Sequence, residues 1–479
     1  MKRIRKYIGM FIIPYCVMMI IAASCKNEEA YDESPDLTVI YGIKIVNVGE
    51  HGDKILEGMI DELSKEITFP YIDTLTDFSK IRFEATLPER AFLDESVYDF
   101  SMDGSSRIKR TIAVVNGARK REYYVTLLKD IPLFGADFDS KIKVYNFSNS
   151  GTIYPDFSAG LTRSADMDAD YVLVVSRATF PHLLRLSDLK QGKTDSPVAL
   201  DLTGIGTSSP PTFPVSAGRL SHGHIYISSL SVLGNGEELN IYHWATPASK
   251  PEKIGSFSKG MDGIPDYPAS GGRFGDCISV NLDENGNGYI FLGNNRGTVA
   301  ADPYVLRLTV SGFDDISDPA LINLSVYGGW WTSYNQVDGS ANEYIYTGYQ
   351  APIMLVNESG SDIYTMATAS VPLQGNDARI VNFNGERYLV MTTSTQGTAA
   401  ATLYVYDISK GSTVEEALEL FEATTKMPKY SLALGGAAVA SVYAANLSVA
   451  KTEDALYLMS AAPGAGFVVV EAPKATKDE

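Results

Sequence analysis

One pattern repeats along most of this sequence and constrains it more than any other. It is an apolar strand, a turn of Asp, Asn, Gly or Ser, and then a second strand of alternating aromatic and aliphatic residues. Residues 279–293 show it in full, with Asp283-Glu284-Asn285-Gly286-Asn287-Gly288 as the turn. Second-strand runs of this kind start at Tyr171, His224, Tyr289, Tyr344, Tyr388 and Ala455, spaced about 44 to 67 residues apart. Each follows a polar turn and precedes another striped strand, such as Tyr304-Val305-Leu306-Arg307-Leu308. A period of that length, built from four-stranded units that bury their faces only against neighbours, predicts a β-propeller. The repeats give six blades, or seven if the long stretch before Phe274 holds another. The last unit has only three strands before the polar tail. Ile142-Lys143-Val144-Tyr145-Asn146-Phe147 is the spare strand that would complete it and leave no free edge.

Ahead of the repeats, residues 37–133 carry roughly seven short alternating strands and no Cys, the pattern of an immunoglobulin-like sandwich. Ile43-Lys44-Ile45-Val46 and Lys80-Ile81-Arg82-Phe83-Glu84 alternate, and Asn116-Gly117 joins two further strands by a tight turn. The predicted fold class is therefore all-β: an Ig-like sandwich over 37–133, a β-propeller over 134–473 and a polar tail over 474–479. The one helical pattern, residues 414–421, is short.

The N-terminus carries a targeting segment. Lys2, Arg3, Arg5 and Lys6 precede an apolar run over 8–23, too short for a comfortable membrane span and ending in small residues. Ala22-Ala23-Ser24-Cys25 resembles a bacterial lipobox, with Ala22 where Leu is usual. Residues 1–24 are then a lipoprotein signal peptide, Cys25 is the lipidation site, and the acidic stretch 25–36 is a tether. Lys26-Asn27-Glu28-Glu29 resembles the acidic signal that sends such lipoproteins to the outer face of the outer membrane, so the expected location is lipid-anchored and exterior. Cleavage removes four basic residues and no acidic ones, taking the net charge from −18 to −22, which argues against a nucleic-acid partner. Cys16 leaves with the leader and Cys25 is acylated. Cys277 is then the only cysteine left, a buried structural thiol that can form neither an internal disulfide nor a thiolate metal site.

Leader, tether, module order and blade pattern together resemble a family of Bacteroidetes surface lipoproteins with an N-terminal Ig-like module and a C-terminal β-propeller. Residues 70–78, with Leu75-Thr76-Asp77, are similar to that module as well. The resemblance implies that the module is chiefly a spacer and that the protein accompanies SusC/SusD-like TonB-dependent importers. It brings no catalytic motif.

The residues themselves offer few reactive constellations. There is no Gly-x-Ser-x-Gly elbow and no His-Glu-x-x-His, and no cofactor is expected. Asp283, Asn285 and Asn287 begin like a calcium loop, but Asn294 stands where the bidentate Glu belongs, and turn chemistry explains them as well. His222 and His224 alternate like metal ligands without a nearby carboxylate. The polar first-strand residues Arg163, Arg219, Arg273, Asp276, Asp377 and Arg379 are placed either along the channel or in ion pairs between blades. Tyr327-Gly328-Gly329-Trp330-Trp331-Thr332-Ser333-Tyr334 holds two of the three Trp beside flexible Gly, and suits either stacking on a ligand or packing between blades. Trp244, alternating with Tyr242, reads as core. The ligand candidates are thus Trp330, Trp331, Tyr334, Tyr327, Arg273 and Asp276. The leading expectation is an outer-membrane lipoprotein that binds glycan or peptide for a SusC/SusD-like importer. A propeller glycoside hydrolase or lyase, and a purely structural importer subunit, are the alternatives.

Overall fold

The computed structural model describes residues 35–101, 107–130, 134–206, 210–295, 304–368, 370–372, 375–395, 399–424, 426–435 and 444–476. The leader, Cys25 and nearly all of the tether lie outside them. The chain is all-β and divides into two compact units, Met1–Pro132 and Leu133–Glu479.

In the first unit, Gly42–Val48 pairs on its two sides with Lys54–Glu57 and Phe83–Thr86. A larger sheet is built on the long hairpin of Arg107–Asn116 and Arg119–Asp130, turned by Gly117 at φ 60°, with Glu66–Thr68 added parallel to the second strand. Alternation assigns the faces: Ile43 and Ile45 from one sheet meet Ile112, Val114, Tyr123 and Val125 from the other in one core, while Tyr124 points to solvent.

The second unit consists of six sheets, each built on a four-stranded antiparallel meander, with the short strand Arg273–Phe274 added to the second strand of sheet two. Sheet one is Thr162–Met167, Tyr171–Ser176, His182–Arg185 and Val198–Ala199. Sheet two is Phe213–Ser221, His224–Val232, Leu239–Trp244 and Glu252–Phe257. Sheet three is Ser279–Leu282, Gly288–Gly293, Tyr304–Ser311 and Asp315–Asn323, and sheet four is Thr332–Gln336, Glu343–Gly348, Ala351–Asn357 and Asp362–Thr365. Sheet five is Gly375–Phe383, Glu386–Thr395, Ala399–Asp407 and Tyr430–Ala433, with the amphipathic helix Val414–Glu422 inserted before its last strand. Sheet six takes Asn446–Lys451, Ala455–Ala462 and Gly466–Pro473 from the end of the chain. Its fourth strand is Lys143–Ser148 from the start of the unit, paired residue by residue from Lys143↔Glu471 to Ser148↔Gly466. That is the closing strand expected from sequence.

Period-two alternation explains why the second strands are apolar almost throughout. Each buries both faces, and its odd and even residues serve different neighbours. Leu173 and Val175 pack with Ile225, Ile227 and Trp244 of sheet two, while Val172 and Val174 pack with Met459 and Phe467 of sheet six. Tyr226 and Ile241 meet Ile290 and Leu308 of sheet three, and Phe291 and Val305 meet Tyr344 and Met354 of sheet four. Ile345 and Leu355 meet Ile380 and Leu389 of sheet five, whose Val390 and Val405 meet Leu458 and Val470 of sheet six. The six cores thus form a closed cycle.

The first strand of every sheet also touches the first strands of the sheets before and after it. These inner strands have no ladder partner on their free edge, so short polar side chains satisfy the backbone across each junction. Ser164 Oγ accepts from Gly218 N and donates to Gly218 O, both at 3.0 Å, and Asp166 accepts from Leu220 N at 2.7 Å. Asn281 grips Gln336 N and Tyr334 O, Asn335 donates to Ala378 O, and Asp377 accepts from Leu447 N. Asn446 donates to Arg163 O, and His222 Nε2 lies 3.0 Å from Leu282 O.

The centre of the cycle is filled. Arg219 of sheet two reaches Asp377 of sheet five at 3.0 Å, and its other terminal nitrogen contacts Ala165 O of sheet one and Asn446 Oδ1 of sheet six. Both members are sequestered, at 4% and 0% exposure. Of the two sequence options for these residues, channel lining or ion pairing, the second holds for Arg219 and Asp377.

Candidate functional site

The connections that enter the inner strands and those that leave the second strands lie at one end of the sheets, because the strands are antiparallel. At that end Asp276 and Trp330 come from segments leading into sheets three and four, Arg273 from a short strand paired with the second strand of sheet two, Arg163 from the start of the first strand of sheet one, and Arg177 from the segment leaving the second strand of sheet one. The Asp276 carboxylate is saturated by guanidinium. Arg273 donates through Nε at 2.5 Å and Nη2 at 3.1 Å, and Arg177 Nη2 donates at 2.7 Å. Arg177 is held further by Ser216 Oγ and lies against the Phe213 ring, 4.8 Å from its centroid. The Arg273 guanidinium lies 5.9 Å from the Trp330 ring centroid.

The electrostatics follow from burial among like charges. Burial alone would raise the Asp276 carboxyl, yet Arg177 and Arg273 hold it below the usual carboxylate range. Burial works against Arg273, but its hydrogen bonds to Asp276 hold its pKa above normal. Burial pushes Arg177 down despite Asp276. Arg163 is lowered to about 10, first by burial and then by the neighbouring charge of Arg177. Its Nε donates to Gly160 O at 2.8 Å, and among the described residues no carboxylate lies within ion-pair distance of its guanidinium. Beside Arg177 opens a cavity of about 360 Å³ walled by Phe180, Leu202, Ile205, Phe213 and Val215.

The aromatic run divides between surface and interior. Trp330 is 37% exposed, whereas Trp331 and Tyr334 are buried. Trp331 donates Nε1–H to Ala445 O, at the entry to sheet six, and packs on Cys277 and Ala444, so it spans the centre of the cycle. Tyr334 stacks on Phe291, centroids 4.1 Å apart. Tyr327 is half-buried, its hydroxyl without a partner among the described residues and pushed up to about 12 by burial. The chain turns sharply at Gly329, φ 85°, and a Cβ on Gly328 would collide with Thr332 and the Tyr346 hydroxyl, so this run needs both glycines. Cys277 is buried, and burial raises its thiol, which fits a structural role.

The other candidates resolve into turn and packing chemistry. Asp283 Oδ1 accepts from the amides of Asn285 and Asn287, and Asp168 Oδ1 from those of Asp170 and Tyr171. Arg379 reaches towards Asp166 at 3.8 Å, at the opposite end of the inner strands. His224 Nδ1 and His243 Nε2 stand 2.7 Å apart, so one ring must donate and the other accept, and the His224 ring stacks on Phe313 at 4.0 Å. Trp244 is fully buried and donates to Asp201 O.

The histidine pair gives a pH prediction. Burial, then the charge of His224, depresses His243 to about 4 from an ordinary value of 6.5. A folded-state pKa below the unfolded one favours the neutral ring. That contribution is complete above pH 6.5 and disappears as the pH falls towards 4. Its size is about 3 kcal/mol. Denaturant titrations at pH 7.5 and 4.5 should show a larger acid loss for the wild type than for His243→Gln, because shared carboxylate effects cancel between them. Equal losses would mean the pair does not hold a neutral ring.

Sequence reasoning selected Arg273, Asp276 and Trp330 but passed over Arg177, which sits alone after a strand with nothing local to mark it. The model of the DUF4623 family, described as a domain of unknown function, matches residues 26–475. A crystal structure of a DUF4623 family protein from Bacteroides eggerthii is 37% identical over 92% of this chain and 99% of that one, with a TM-score of 0.72. A structure of BBS1N in complex with ARL6DN aligns at 11% identity over 81% of this chain and 91% of that one, with a TM-score of 0.32. No curated protein matches the sequence.

Proposed function

The chain belongs to the DUF4623 family, and from that premise we propose that it is a lipid-anchored outer-membrane surface protein whose six-bladed β-propeller, carried on an Ig-like spacer, captures an extracellular glycan for a SusC/SusD-like importer. The closed cycle of six cores and the strand shared between the two ends of the second unit support the propeller reading. The two facing sheets of the first unit support the sandwich. The leader and Cys25 support the anchor.

One observation carries the binding reading. At a single end of the sheets, an exposed indole stands beside a partly buried arginine cluster that holds more cationic than anionic groups. An aromatic plane next to fixed donors is how proteins grip sugar rings. Affinity electrophoresis in gels containing single polysaccharides tests it. At least one gel should retard the wild type, and Trp330→Ala should lose most of that retardation, about tenfold in Kd, while keeping its melting temperature. Release of shortened sugars during the run would instead support the hydrolase or lyase reading. Co-purification with an importer and no retardation anywhere would favour a structural subunit.

A further inference from the structure

Arg177, just after the second strand of sheet one, and Arg273, ahead of sheet three, both bind one buried carboxylate, and Arg163, at the start of the first strand of sheet one, stands close enough to feel their charges. Asp276 is spent on two of them: Oδ1 takes Arg177 Nη2 and Arg273 Nη2, and Oδ2 takes Arg273 Nε. The next carboxylate acting on Arg273 is Glu237. Glu237 is itself occupied by Thr212 N and Oγ1 and by Val232 N. Even with Glu237 counted, three guanidinia face two carboxylates, and Arg163 is the one left over. Among the described residues its terminal nitrogens have no partner, while Nε donates to Gly160 O and fixes the plane of the fork.

A partly buried guanidinium with no carboxylate partner among the described residues costs stability. Groups held at such a cost mark places where a ligand supplies the missing charge. Trp330, on the Arg273 side of the cluster, offers an apolar plane as well as the charge. The site therefore asks for a planar anion attached to something that stacks on an aromatic face.

We propose that Arg163, Arg177, Arg273 and Trp330 form a binding site for a carboxylated sugar, a uronate unit of an extracellular acidic polysaccharide, with Arg163 pairing with the carboxylate and Trp330 stacking on the ring. This rests on the capture function proposed above and narrows its ligand. Guanidinium and carboxylate match as a two-point fork, and the pairing is worth about ten- to a hundredfold in affinity.

The test uses the full mature chain in affinity gels of polygalacturonate, neutral galactan and polyglutamate, at 50 and 500 mM NaCl. Polygalacturonate should retard the wild type, and less so at high salt. Galactan should not. Arg163→Gln should weaken retardation by polygalacturonate about ten- to a hundredfold with no fall in melting temperature. Trp330→Ala should weaken polygalacturonate binding while leaving any polyglutamate binding alone. Retardation by galactan equal to that by polygalacturonate, insensitive to salt and to Arg163→Gln, would overturn this inference and leave glycan capture standing. Polyglutamate held as tightly as polygalacturonate would make the site one for acidic peptide, and also overturn it. No retardation by either polysaccharide would overturn it together with the capture reading. The salt response of the wild type decides the matter even if Arg163→Gln fails to fold.

Discussion

Arg219→Met is expected to lower the stability of the second unit by about 3–5 kcal/mol, read as a fall in the guanidinium chloride midpoint at constant slope. The cost comes from what is left behind. Asp377 is fully buried and accepts from Arg219 Nη2, Asn335 Nδ2 and Leu447 N. Methionine keeps most of the side-chain volume but removes the one cation that, among the described residues, touches that carboxylate. Arg219 also ties sheet two to Ala165 O and Asn446 Oδ1, so three junctions loosen together. The double variant Arg219→Met/Asp377→Asn separates charge from packing. Asparagine keeps an acceptor for Leu447 N without burying a charge, and most of the loss should return. A single-variant loss under about 1 kcal/mol would mean the pair is well hydrated and not a plug at the centre of the cycle.

Much of this architecture was legible in the sequence because it is written in local signals. Hairpin turns such as Asp283 to Gly288 announce themselves by backbone chemistry that survives in the structure as side-chain-to-amide bonds. Second strands declare burial on both faces by their unbroken apolar runs, and the spare strand before residue 148 pairs where an unmatched edge required it. What local signals do not carry is convergence between distant segments. Arg219 and Asp377 are 158 residues apart, and Arg177 and Asp276 are 99 apart, so neither pair has a spacing to recognise. Nor does composition divide an aromatic run. Trp330 and Trp331 are adjacent and chemically identical, yet one faces outward while the other donates its N–H to Ala445 O in the interior. Which does which depends on the turn at Gly329 and on a sixth sheet more than a hundred residues away. His243 was overlooked for the same reason: its partner His224 is on the neighbouring strand, not nearby in sequence.

Removing Lys143–Ser148 is expected to abolish cooperative folding of the second unit, and moving the same strand to the other end of the chain is expected to restore it. The strand covers the outer edge of Gly466–Pro473 along six paired residues. Seven of the eight residues in Gly466–Pro473 are buried. Without it that ladder edge is bare, a template for pairing with other chains. Phe147 also stacks on Phe467, 5.1 Å between centroids, inside the core shared by sheets six and one. Losing one such phenylalanine costs about 3–5 kcal/mol. Losing it together with the whole ladder approaches the about 5–15 kcal/mol that holds a typical domain together. A chain lacking residues 143–148 should therefore aggregate and show no sigmoidal unfolding of the second unit by circular dichroism. Because Lys143 pairs with Glu471, at the C-terminal end of the last strand, residues 142–148 reattached after Lys474 through a short turn would re-enter as the next strand of the meander. That rearranged chain should melt within a few degrees of the original if closure is what matters. A chain lacking residues 143–148 that unfolds cooperatively at the wild-type midpoint would show the cycle is held by its six cores alone and needs no shared strand.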